Sequence, residues 1–129
     1  MVEEGHRITD KIVISAIADE LGISDSKIKL HGFEVGEGSK KGDNFACVVK
    51  AIIAKASIDG GESRDFHFIA KCMPMNPMRQ EWLKAAKIFD KECFVYEKFL
   101  PMLYEIQSKH GVQLAIPKCH YSSLDEGVR

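Results

Sequence analysis

Apolar residues recur on one stripe between Asp10 and Leu21, where Ile12, Ala16 and Ile17 share a face. That spacing predicts a helix, with Thr9 as its N-cap and Gly22 as its stop. From Ile28 the period shortens. Ile28, Leu30 and Phe33 predict a strand that runs into a loop dense in turn formers, residues 36–44. Residues 45–56 read as a second, longer strand, with helix as the alternative their alanines leave open, and Asp59-Gly60-Gly61-Glu62 as a hairpin turn. Residues 64–73 alternate strictly. Phe66, Phe68, Ala70 and Cys72 point one way, and His67, Ile69, Lys71 and Met73 the other. An antiparallel meander is the simplest topology for these three strands.

Pro74 ends the third strand, and Asn76-Pro77 opens a helix with proline in its first turn. Residues 79–100 are helical in pattern, as a short helix followed by a longer one that starts near Ile88. Pro101 is expected to break or restart that helix ahead of residues 102–109, which His110-Gly111 closes. Residues 116–121 are expected to form a fourth strand, and Asp125-Glu126-Gly127 a turn. The fold class expected is α+β. Residues 1–27 form a leading helical segment, and residues 28–129 an antiparallel sheet of about four strands with a long helix packed on it.

Composition narrows the function more by exclusion than by assignment. The chain has 129 residues, 45% hydrophobic and 29% charged, which suits one ordinary globular unit. Its 18 basic and 19 acidic residues leave a net charge of -1. No basic excess is available to neutralise many phosphates, so a strongly electrostatic nucleic-acid or membrane binder is not expected. The first residues lack the apolar core of a signal peptide, and a reduced, cytoplasmic protein is the expectation. The four cysteines contain no C-x-x-C pair, and the five histidines no i, i+4 spacing. Neither set reads as a zinc site.

Three features carry candidate chemistry. Gly36, Gly38 and Gly42 could let backbone N–H groups approach phosphate oxygens. Their spacing matches neither the dinucleotide fingerprint nor a Walker A loop, and a solvated hairpin connection is the plain alternative. Lys71 lies on a strand face beside Ile69 and Met73, where an ammonium either snorkels to water or needs an anion. Glu92 shares a helix face with Phe89 and Tyr96, and a carboxylate in such company is costly unless paired. Packing the helix on the sheet would bring Glu92 to Lys71; the alternative is that both reach water separately.

The order of these features is that of a kinase amino-terminal lobe: a glycine-rich loop between two strands, a lysine on the third, a glutamate on the next long helix. Four short stretches then resemble the ecdysteroid kinase-like family, which stands with choline kinases and aminoglycoside phosphotransferases. They are Gly42-Asp43-Asn44-Phe45-Ala46-Cys47, Phe68-Ile69-Ala70-Lys71-Cys72-Met73-Pro74, Phe89-Asp90-Lys91-Glu92-Cys93-Phe94-Val95-Tyr96 with Leu100-Pro101, and Pro117-Lys118-Cys119-His120-Tyr121. The resemblance covers about residues 28–129.

The resemblance implies the nucleotide-binding half of an ATP-dependent kinase acting on a small-molecule hydroxyl, with a steroid-like alcohol as the suggested acceptor. Lys71 would contact the phosphates and Glu92 would hold it in place. Gly42, Asp43, Asn44 and Phe45 would belong to the loop covering ATP. Phe45 stands where the family usually has tyrosine, and Cys47 where it usually has serine. The family's His-Gly-Asp catalytic loop has no counterpart, since His31-Gly32 and His110-Gly111 do not continue with aspartate. No catalytic residue and no metal ligand is therefore assigned; Mg²⁺ ligands are expected in an absent carboxy-terminal lobe. The chain alone is expected to be inactive. The alternative is a non-catalytic interaction module, able to self-associate through an open sheet edge.

Overall fold

Helix α1 (Asp10–Leu21) ends at the two residues its sequence designates. The Thr9 hydroxyl accepts the Ile12 N–H at 3.4 Å. Gly22 closes the helix at φ 66°, a left-handed conformation that lacks a steric penalty only for glycine. The computed structural model describes residues 8–38, 48–74, 76–123 and 128.

A 3₁₀ turn (Asp25–Lys27) leads into a three-stranded antiparallel sheet of β1 (Ile28–Glu37), β2 (Val48–Ile58) and β3 (Arg64–Cys72), in the order β1-β2-β3. The sequence puzzle in β1, where Leu30 and Phe33 break strict alternation, is resolved by a bulge. Leu30 faces Ala56 and Phe33 faces Ala54, with the register shifting between Leu30 and Gly32. The extra residue, His31, is accommodated without turning either apolar side chain to the wrong side. The turn between β2 and β3 carries Asp59 and Gly60 at φ 51° and 74°, the positive pair that a type I′ hairpin needs.

One face of the sheet is covered. Ile52, Ala54, Ala56, Phe66, Ala70 and Cys72 are buried against Ile12, Val13 and Ile17 of α1. Alanines at 54 and 56 are both fully buried on this face.

Beyond β3 the chain is helical. Asn76 Oδ1 accepts the Met78 and Arg79 N–H groups at 2.9 and 3.2 Å and caps α2 (Pro77–Ala86). Lys87, at φ 53°, joins α2 to α3 (Ile88–Phe94). A π-helical stretch (Val95–Phe99) then runs into α4 (Leu100–His110), whose first turn holds Pro101. The expected break takes the form of that widened stretch. Proline lacks an N–H and crowds the carbonyl four residues back; here that residue is Glu97, inside the stretch that has loosened.

The expected fourth strand is not formed: among the described residues the sheet has three strands, and residues 116–121 lie outside it with no regular secondary structure. They are held by side chains. Tyr121 packs on the core, and His120 Nδ1 lies 3.0 Å from Asp19 Oδ2 on α1. A strand needs a neighbour to pair with, and none of the described strands pairs with these residues. The expected turn at residues 125–127 lies outside the described residues, although its flanks, Ser123 and Val128, pair with each other.

Candidate functional site

Strand alternation sets the site. Because Phe66, Ala70 and Cys72 face α1, His67, Ile69 and Lys71 face the opposite side of the sheet. Cross-strand pairing places Val49 beside Lys71 and Ala51 beside Ile69, with Gly36 of β1 beyond Ala51. This second face is open: Ile69 is 62% exposed. Val49, Ala51, Ile53 and Ile69 thus form an apolar patch away from the core, with Lys71 at one end and the Lys55–Asp65 pair at the other.

Glu92 comes to that lysine from α3. Phe89 and Cys93, one on each side of it in sequence, are buried with Leu83 of α2 and with Met73, just past the end of β3. This small cluster anchors α3 at the end of β3 and turns the intervening glutamate toward the strand. Lys71 Nζ donates to Glu92 Oε1 at 3.2 Å. The side chains are 39% and 34% exposed, so the ammonium is oriented while remaining within reach of a ligand.

The loop between β1 and β2 is anchored firmly at its base. Gly38 N–H donates to Val49 O at 3.0 Å. A Cβ on Gly38 would lie 2.7 Å from Val49 Cγ1 and 2.9 Å from the Lys50 carbonyl carbon, so only glycine fits this approach. Next to it Lys50 Nζ meets Glu37 Oε1 at 2.9 Å. Gly42, Asp43, Asn44 and Phe45 lie outside the described residues.

A cavity of about 380 Å³ adjoins the site. Ile12, Val13, Phe68, Ala70 and Tyr121 are among its apolar walls, and Lys71 contributes to its rim. The His120 ring stands edge-on to Phe68, with centroids 5.6 Å apart and planes at 73°. Sequence reasoning identified neither this cavity nor the bracing role of His120. Its partner Asp19 is 101 residues away, and no local pattern marks such a contact. Ile69 was legible only as a strand residue, although its place two residues before Lys71 puts it on the same face.

A family model described as the ecdysteroid kinase-like family matches residues 41–129. No curated protein and no solved structure matches the chain.

Proposed function

The chain belongs to the ecdysteroid kinase-like family, and from that membership we propose that residues 28–129 are the nucleotide-binding lobe of an ATP-dependent kinase acting on a small-molecule hydroxyl. The observation that carries the reading is the Lys71–Glu92 contact at 3.2 Å, on an open sheet face beside apolar Val49, Ala51 and Ile69. Those residues fit the group. A flat base can lie on apolar strand residues, and a triphosphate needs a cation whose position is fixed in advance.

ATP supplies the phosphoryl group that is transferred. Lys71 would hold its phosphates by charge, and Glu92 would keep the ammonium aimed at them. The loop carrying Gly42, Asp43, Asn44 and Phe45 would cover the phosphates, with Gly38 anchoring one end of it. The base that activates the acceptor and the carboxylates for Mg²⁺ are assigned to a catalytic half outside these 129 residues. A steroid-like alcohol is the acceptor class the family suggests.

Titration of the purified chain with a non-hydrolysable ATP analogue tests this reading. Saturable binding that Lys71→Met removes is expected; no binding, or binding indifferent to that change, overturns it. Phosphoryl transfer by the chain alone would overturn the placement of the catalytic groups elsewhere. A non-catalytic interaction module is the second reading, favoured by the outer edge of β3, whose only bridge among the described residues is to Val128.

A further inference from the structure

The helical arm that follows α3 carries an inference that does not depend on nucleotide binding. Val95, Phe99, Met102 and Ile106 succeed one another at steps of four, three and four residues. Four residues make roughly one turn of the π-helical stretch, and seven make about two turns of α4, so these side chains form a single stripe. They are between 38% and 63% exposed. Leu100 is the buried residue of α4, and Leu103, Tyr104 and Gln107, on its side of the helix, are half-buried. The stripe is thus turned away from the side that packs, and an apolar surface so presented marks an interaction site.

The order of residues along the stripe points to its occupant. Val95 and Ile106 lie equally far from a point between Leu100 and Pro101, and so do Phe99 and Met102. Two such stripes laid antiparallel about a two-fold axis set Val95 against Ile106 and Phe99 against Met102, apolar on apolar throughout. Lys98 and Glu105 flank the stripe on one side, seven residues apart. That spacing, about 10 Å along a helix, keeps them from meeting on their own chain, and among the described residues neither has an ion-pair partner. The same two-fold brings Lys98 of each copy to Glu105 of the other. A parallel arrangement would instead set the two lysines at one level and the two glutamates at another.

We propose that this stripe is a self-association surface. Two copies of the chain join through it as an antiparallel helix pair, flanked by reciprocal Lys98–Glu105 ion pairs. The contact is short, near the lower limit of about 1,000 Å² for a specific interface, so dimer and monomer exchange readily. Apolar contact supplies the affinity, and the order of charges supplies the orientation.

Sedimentation equilibrium of the whole chain tests the proposal. The average mass is expected to rise with concentration toward twice that of the monomer and no further. Met102→Glu, which puts a charge in the middle of the stripe, should keep the chain monomeric. Lys98→Glu and Glu105→Lys should each weaken the dimer about tenfold, because each sets like charges opposite one another. An equimolar mixture of those two variants should associate as well as the original chain, since opposite charges then face each other again. Rescue by mixing cannot come from variants that fail to fold. A chain that stays monomeric up to about 1 mM, a concentration at which only contacts weaker than about 4 kcal/mol escape notice, would overturn the proposal and give the stripe to a partner of another kind. A dimer that Met102→Glu leaves intact, or a mixture that associates no better than either variant alone, would overturn it too. None of these substitutions touches Lys71 or Glu92, so the outcome is independent of the nucleotide reading.

Discussion

Lys71 of β3 and Glu92 of α3, 21 residues apart in the chain, meet at 3.2 Å because two different packing rules converge. Strand alternation turns Lys71 away from α1, and burial of Phe89 and Cys93 turns Glu92 toward it. Both side chains remain more than a third exposed, so water screens most of the attraction. A pair in that setting contributes under about 1 kcal/mol to stability. Lys71→Met should therefore leave chemical denaturation nearly unchanged while abolishing the thermal shift given by an ATP analogue. A large loss of stability would instead make the pair a structural strut.

Phe89 is fully buried and 60%-exposed Phe94 lies on the same short helix. Phe89→Ala should cost about 3–5 kcal/mol, the usual price of emptying a core aromatic site. Phe94→Ser should fall within about 0.5 kcal/mol of wild type. Denaturant titration of the two variants measures the contrast. Similar losses for both would mean that Phe94 is covered in solution.

At Gly38 the limiting factor is space. Its Cβ would come within 2.9 Å of backbone at Lys50, so Gly38→Ala must push β1 away from β2. A loss of about 1–3 kcal/mol is expected from such overpacking. Gly36, with nothing within 4 Å of its Cβ position, should accept alanine with little change, and the two melting temperatures should separate accordingly.

Lys87 holds φ 53° at the joint between α2 and α3. A non-glycine residue in the left-handed region costs about 1–2 kcal/mol, so Lys87→Gly should stabilise the chain by up to about that amount. The gain would be partly offset by the greater freedom of glycine in the unfolded state. A drop in melting temperature would show that the lysine side chain is needed at the joint.

The features that the sequence determined by itself are the local ones. Thr9 and Gly22 bound α1, Asn76-Pro77 opens α2, and Asp59-Gly60 turns β2 into β3, because caps and turns are set by a few adjacent residues. Alternation in β3 put Lys71 opposite the core face, while pairing with Glu92 followed from the order of elements and the family resemblance, since the residues alone left both side chains free to reach water separately. Residues 116–121 show where local information ends. Their pattern calls for an extended backbone, but a strand also needs a neighbour, and only the tertiary arrangement shows a cavity between them and β3. The bulge at His31, the π-helical stretch ahead of Pro101 and the clasp between His120 and Asp19 were likewise decided by packing. Each depends on atoms distant in sequence or on the fit of a whole element, which periodicity along the chain does not encode.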